Sequence, residues 1–250
     1  ISSLMFDIKF YDTVVSTNDT VRSLPACTLV WTDNQTAGRG QRGNSWESEP
    51  GANLTFSFTI APSDLRMDRA FVISEAVSLA VSETLGEVGV EARIKWPNDI
   101  YVGDRKICGI LIENSVRANG YVSLSVVGVG LNVNQRIFTG DAPNPVSLAQ
   151  LTGVDHDRRA LLSSFCRRFE SLYVMSDADS ACYDAIHDRY MGALYRSDGL
   201  YPFREAGTYD KPGRLFYARI ISVAPDGEIT LEEAGGKRSG YYFKEVEFVL

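Results

Sequence analysis

The apolar residues between Arg69 and Glu87 recur with a helical period, while most of what surrounds them reads as strand. Ala70, Phe71, Ile73, Ala76, Val77, Ala80, Val81 and Leu85 fit one long helix that ends near Gly86 and Gly89. Ahead of it, Phe6–Tyr11 alternates apolar and polar residues, Cys27–Thr32 is β-branched and apolar, and Asn53–Ile60 is a strand bounded by Pro50-Gly51 and Pro62. Behind it come a short strand, Ala92–Trp96, and a turn at Pro97-Asn98-Asp99. A hairpin then pairs Ile100–Val102 with Lys106–Glu113 around Gly103-Asp104, and Tyr121–Asn134 reads as a buried strand. A chain of this kind has to layer helices on a sheet, so the predicted class is α+β.

Two further helices follow. Leu161, Phe165, Phe169, Leu172 and Tyr173 share one face, as do Cys182, Ile186, Tyr190 and Leu194. Ser197–Pro212 reads as a linker, and three strands are expected after it, over Arg214–Val223, Glu228–Glu233 and Gly240–Val249. Turns at Asp226-Gly227 and Gly235-Gly236 separate these strands, which is enough for a small β-barrel-like module. The expected division is 1–206 and 207–250.

Charge and cysteine content narrow the function. A net charge of −7 disfavours a sequence-independent nucleic-acid binder, which needs a basic face to displace counterions. Cys27, Cys108, Cys166 and Cys182 lie far apart with no CxxC or Cys/His spacing. Reduced thiols in a cytoplasmic protein are expected, not a disulfide framework or a zinc site. The opening ISSLMFDIKFYD is neither a signal peptide nor a membrane span, and no apolar run is long enough to cross a bilayer.

Three constellations carry chemistry. In Gln35–Trp46, Gly38, Gly40 and Gly43 alternate with Arg39 and Arg42. Backbone N–H groups and guanidinium groups together suit carboxylate or phosphate oxygens. The pattern is neither a P-loop nor a dinucleotide fingerprint, and taken alone it fits a solvated hairpin equally well. The second is Lys95–Glu113, with the stiff Trp96-Pro97 corner, Asn98 and Asp99 in a turn, and Lys106 on the returning strand beside Arg105 and Gly109. A lysine in a cleft can hold a carboxylate and an α-phosphate together; an ordinary solvated lysine is the alternative. The third is Gly128–Asn134, where Gly128 and Gly130 mark close approach of a ligand or of another backbone, and Asn132 can reach a ligand. A β-bulge explains that stretch as well. Trp46 and Trp96 suit either core or ligand stacking, and His156 and His187 have no nucleophile motif around them.

Taken together, Ser16-Thr17-Asn18, Gln35–Trp46, Lys95–Glu113, Gly128–Asn132 and the terminal Tyr242–Val246 resemble the biotin–protein ligases, also called biotin–[acetyl-CoA-carboxylase] ligases, in order and in approximate spacing. The resemblance implies a class II synthetase-like catalytic fold, with a mixed or antiparallel sheet and helices on one side, and a C-terminal SH3-like barrel. It implies attack of the biotin carboxylate on the α-phosphate of ATP, with Mg2+, giving biotinyl-5′-AMP. A lysine of a biotin carboxyl carrier protein domain then takes the biotin.

By the same resemblance, Ser16, Thr17 and Gln35 hold the biotin head group, and Asn18, Gly38, Arg39, Gly40, Gln41, Lys106, Gly109, Gly128 and Gly130 belong to the biotin side. Arg39, Gln41, Arg42, Trp46, Asn98 and Asn132 serve ATP and the adenylate. Lys106, Arg39 and Arg42 are the expected catalytic residues, Lys106 bridging the carboxyl oxygen and the α-phosphate. Asp99 is a weaker candidate, near the metal or the incoming lysine. The metal ligands are not assigned.

Many members of the family read GRGR where this chain has Gly38-Arg39-Gly40-Gln41, so Arg42 is expected to supply the charge that Gln41 lacks. The chain begins at the catalytic region, so no DNA-binding domain and no repressor role are expected. A homodimer through a sheet edge is common for such sheets. The alternatives are a lipoate–protein ligase and a non-catalytic biotin-binding regulator.

Overall fold

The computed structural model describes residues 5–40, 46–140, 142, 144–176, 180–207 and 212–250, without the side chains of 174–176 and 180–182. Its main sheet has seven strands: β1 Asp7–Val14, β2 Thr28–Gln35, β3 Leu54–Ile60, β4 Arg93–Lys95, β5 Asp99–Val102, β6 Arg105–Val116 and β7 Val122–Leu131. They lie in the order β1-β2-β3-β7-β6-β5-β4. Only β1 and β2 run parallel; the remaining neighbours are antiparallel. Parallel neighbours need a crossover, and the short helix α1, Thr17–Arg22, lies in it. The β5–β6 turn is the expected hairpin, with Gly103 at φ 56°, a conformation costly for a residue with a Cβ.

One face of the sheet is apolar and carries the core. Leu54, Phe56, Phe58 and Ile60 are fully buried on β3. They meet α2 (Phe71–Glu87), α4 (Arg158–Ser176) and α5 (Ser180–Gly192) on a common side. Phe56 lies 4.9 Å from Phe165 edge-on, and Phe58 lies 4.9 Å from Phe169. Val77, Ala80, Val81 and Leu85 are buried too, and α2 is apolar on most of its circumference because it is packed on several sides. The alternate residues of β3, Thr55, Ser57 and Thr59, face the other way and are equally buried. That second face is the polar one and it lines the site.

Three details differ from the sequence reading. A helix was missed: α3, Leu148–Thr152, opens on a capping box between Ser147 and Gln150 and stops at Gly153 with φ 80°. Its S-x-x-Q start and glycine stop were legible, but five residues are too few to show a period. The stretch 197–212, expected as a linker, contains strand β8, Tyr201–Glu205. Only Phe203 in it is fully buried and Pro202 sits inside it, so no alternation was visible. Gly240–Val249, expected as one strand, is two, because Lys244 adopts a left-handed φ of 75° between them.

The second sheet is thus five-stranded and antiparallel, built from β8, β9 (Leu215–Val223), β10 (Ile229–Glu233), β11 (Arg238–Tyr241) and β12 (Val246–Phe248) in the order β11-β10-β9-β8-β12. It begins at Tyr201, ahead of residue 207. It is bolted to the main domain at two places. Trp96 Nε1–H donates to Gly227 O at 3.0 Å, and Arg196 Nη1–H donates to Val249 O at 2.7 Å. Trp96, one of the two ambiguous aromatics, is therefore core.

Candidate active site

A cleft of about 590 Å³ opens on the polar face of the main sheet. Segments that are remote in sequence converge on it, among them the start of α1, the stretch after β2, the β5–β6 hairpin, β7, the turn at Asn144-Pro145 and Phe243.

One end is built on α1. Ser16 is the helix N-cap, but its side chain makes no capping bond and lines the cleft instead. Thr17 N–H donates to Gln35 Oε1 at 2.8 Å, and Thr17 Oγ1 lies 3.0 Å from the same oxygen. Ser57 Oγ lies 2.6 Å from both Thr17 Oγ1 and Asn18 Oδ1. Asn18 Nδ2–H donates to Glu113 Oε2 at 3.1 Å, and Arg22 pairs with the same carboxylate oxygen at 2.8 Å. Thr17, Asn18 and Ser57 are all buried, so this is a fixed polar network facing a cavity.

The floor is made of glycines. Gly128 stands opposite Ser57 in the register, and a Cβ there would overlap Asn18 Oδ1. Gly130 stands opposite Thr55 and Gly109, and a Cβ there would overlap the Trp46 ring. A Cβ on Gly109 would come within 3.0 Å of the same ring and 3.2 Å of Lys106 Cε. The close approach expected at these glycines is therefore made by Trp46 and Asn18. Trp46 Nε1 is buried there without a hydrogen-bond partner among the described residues.

The other end carries the charge. Lys106 Nζ lies 2.7 Å from Asp99 Oδ1, both side chains being roughly a quarter to a third exposed, at 30% and 26%. The Lys106 backbone is tied on both sides, its N–H donating to Asn144 O at 2.8 Å and its carbonyl accepting from Val146 N–H at 2.9 Å. Arg39 forms an ion pair with Asp19 of α1. Asn98 Nδ2–H donates to Ile110 O at 2.5 Å, and Asn132 Nδ2–H donates to Val146 O at 3.1 Å. Asn132 Oδ1 is buried with no partner among the described residues, and both asparagines line the cleft.

Gly38 and Trp46 are held together, Trp46 N–H donating to Gly38 O at 3.1 Å. A Cβ on Gly38 would come within 2.7 Å of Gln35 Nε2 and of Trp46 O, so only glycine fits there. Gln41 and Arg42, the remaining expected site residues, lie outside the described residues.

Sequence reasoning overlooked several members of the site. Ser57 and Thr55 are simply the polar half of an alternating strand. Glu113 ends the expected Lys106 strand with nothing to link it to Asn18. Phe243 reaches the cleft from the second sheet, although Tyr242–Val246 was noted for its resemblance alone. The sites set aside stay structural. His187 Nδ1 is 2.7 Å from the buried Glu75 carboxylate, whose pKa burial pushes up against the opposing pull of His187. Burial also pushes up the Cys108 thiol, and that of Cys166 to about 12. Among the described residues, no group of three or more His, Cys, Asp or Glu converges as a metal cluster would.

The model of the biotin/lipoate A/B protein ligase family matches residues 8–132, which is half the chain and includes each of these segments but Phe243 and the Asn144–Val146 turn. The chain belongs to that family. Among its relatives, the bifunctional ligase/repressor BirA of Bacillus subtilis is 32% identical over 175 residues, covering 66% of this chain and 53% of the relative. A biotin–[acetyl-CoA-carboxylase] ligase of Mycobacterium tuberculosis is 33% identical over 143 residues, covering 56% of this chain and 51% of the relative. The chain thus spans about half the length of the curated relatives it matches. A biotin protein ligase from Aquifex aeolicus, solved with biotin and ATP, has the same fold over almost the whole chain. Its TM-score is 0.80 at 22% identity, covering 97% of this chain and 99% of that one.

Proposed function

We propose that the protein activates biotin with ATP to give biotinyl-5′-AMP and pyrophosphate, and then transfers biotin to a lysine of a biotin carboxyl carrier protein domain. The observation that carries this reading is the layout of one cleft: a hydrogen-bonding end at Ser16, Thr17 and Gln35, a glycine floor against which the Trp46 ring packs, and Lys106 at the far end. Family membership and the named activities of the relatives support it.

Biotin fits that layout chemically. Its ureido ring offers two N–H donors and a carbonyl acceptor, and the polar end offers partners for them. Its aliphatic tail suits the floor formed by Gly109, Gly128, Gly130 and the Trp46 ring. Its carboxylate then lies toward Lys106, whose cation would hold a carboxyl oxygen and the α-phosphate together as charge builds between them. The attacking groups belong to biotin and later to the carrier lysine. The protein therefore needs no nucleophile of its own, only positioning and charge. Arg39 would exchange Asp19 for the adenylate, with Gln41 and Arg42 beside it in sequence. Asn98, Asn132 and Trp46 would serve the nucleotide side.

Mg2+ would arrive on the ATP phosphates, which hold it with water and one or two carboxylates at most. Asp99 is a candidate carboxylate, because it lines the cleft and pairs with Lys106. A homodimer through the free edge of β1 belongs to the same proposal, as does a cytoplasmic location. No helix among the described residues is long and apolar enough to cross a membrane.

Pyrophosphate release that requires both biotin and ATP, followed by AMP release and a mass gain on the lysine of a carrier domain, is the expected result. Lipoate in place of biotin should give neither. Turnover with lipoate alone would overturn the assignment, and tight biotin binding with no pyrophosphate would mark a non-catalytic binder.

A further inference from the structure

We propose that Glu113 is a positioning residue: it sets the direction of the hydroxyl hydrogen bonds at the Thr17–Gln35 end of the cleft and makes that end an acceptor for ligand N–H groups. This rests on the reading of that end as the biotin head-group site.

The network has a proton shortage. Gln35 Oε1, Thr17 Oγ1, Ser57 Oγ and Asn18 Oδ1 form a chain of oxygens with contacts of 3.0, 2.6 and 2.6 Å. Two hydroxyl hydrogens must serve these three contacts. An amide oxygen brings no hydrogen, so the Asn18 contact is satisfied only if Ser57 donates to it. Ser57 Oγ must then receive the Thr17 hydrogen across the other 2.6 Å contact. The longest contact, between Thr17 Oγ1 and Gln35 Oε1, is left without a hydrogen. Gln35 Oε1 keeps the Thr17 N–H bond at 2.8 Å and has its second lone pair available to a ligand. Thr17 Oγ1 likewise keeps its lone pairs on the cleft side.

Reversing the Asn18 amide reverses the whole chain. Nδ2 would donate to Ser57, Ser57 to Thr17, and Thr17 to Gln35. Gln35 Oε1 would then hold two protein donors and refuse a third. Glu113 decides between the two directions. Its carboxylate only accepts, and its Oε2 takes the Asn18 Nδ2–H at 3.1 Å, so a reversed amide would face oxygen to oxygen. Arg22 holds the same Oε2 at 2.8 Å. Asn18 is 5% exposed and Ser57 not at all, so with Glu113 in place bulk water does not compete for these bonds. Gly128 leaves the space that the Asn18 amide occupies. The result is an acceptor surface matched to a head group with ring N–H donors, such as a cyclic urea.

The test uses the full chain, with Glu113→Ala and Glu113→Gln compared by steady-state pyrophosphate release. The substrates are biotin and biotin methylated on its ureido nitrogens. Glu113→Ala should raise KM for biotin about tenfold, the worth of one well-placed hydrogen bond, with kcat within about twofold. It should also narrow the preference for biotin over the methylated compounds. Glu113→Gln keeps an acceptor for Asn18 and should restore most of the affinity. Glu113 is 40% exposed, so both variants should fold, which the thermal midpoint checks. A Glu113→Ala KM equal to that of the wild type overturns the inference, as does an equal loss in both variants or a fall in kcat alone. In each of those cases the biotin reading stands. A wild-type protein that releases no pyrophosphate with biotin overturns that reading and this inference with it.

Discussion

Lys106 Nζ and Asp99 Oδ1 are 2.7 Å apart across the bulged β5–β6 pair, so the cation expected to meet the substrate is already held by a carboxylate of its own hairpin. The pair is part-exposed, which lets a ligand carboxylate and phosphate compete with Asp99 for the ammonium. Lys106→Ala should lower kcat/KM for pyrophosphate release by about 10²–10³, the usual cost of one charge-stabilising group. Asp99→Asn should cost less, about tenfold, because Lys106 keeps its charge but loses the group that aims it. Steady-state rates with circular dichroism as a fold control check both.

The glycine floor makes a steric prediction. Gly130→Ala would push its methyl into the Trp46 ring and Gly128→Ala into the Asn18 amide. Each should lower stability by about 1–3 kcal/mol if the neighbour is forced off its rotamer. Only Gly130→Ala should shift the tryptophan emission to the red, since Trp46 is the ring displaced. An unchanged emission spectrum would show that the ring does not rest on this strand.

Arg39 and Arg42 divide the charge of the loop. Arg39→Ala should leave biotin binding largely intact and shorten the lifetime of the bound adenylate. Arg42→Ala should do the same if Arg42 replaces the arginine absent at Gln41. Release of labelled biotinyl-5′-AMP from each variant is the measurement, and a wild-type lifetime in Arg42→Ala would remove that role.

Glu75 gives a pH dependence whose sign follows from burial. Its folded pKa lies above its ordinary value of 4.5, so the native state binds this proton more tightly than the unfolded chain. The group therefore favours folding at low pH, and this contribution is lost as pH rises from about its ordinary value through the raised one. Glu75→Gln removes the effect and can keep a hydrogen bond to His187. The thermal midpoint of Glu75→Gln relative to wild type should rise with pH across that interval. A constant difference from pH 4 to 8 would show that Glu75 titrates as in the unfolded chain.

Much of the fold was legible because its elements are strongly patterned. The β3 alternation around Phe56 and Phe58, the long apolar period of α2 and the Gly103-Asp104 hairpin are local signals, and each element forms near its expected bounds. The strand Tyr201–Glu205 was not legible, because its order comes from pairing with β9 and β12 and not from its own composition. The site divides the same way. Thr17, Gln35, Lys106 and the glycines stood out by type and motif. Glu113, Ser57 and Phe243 did not, since an ordinary strand residue acquires a role only from what it faces.

The sequence by itself determined which residues would be apolar, where the chain would turn, and that Gln35–Trp46 and Lys95–Glu113 hold unusual combinations of glycine, cationic and amide residues, because these depend on residue type and spacing over a few turns. Tertiary structure alone decided that Asn18 is held by Glu113, 95 residues away, and that the Trp46 ring lies on Gly130. It also decided that Trp96 is core while Trp46 walls the cleft. Those relations depend on strand register and on the crossover that brings α1 over β3 and β7. Register is set by burial summed over the whole sheet, which no single segment carries.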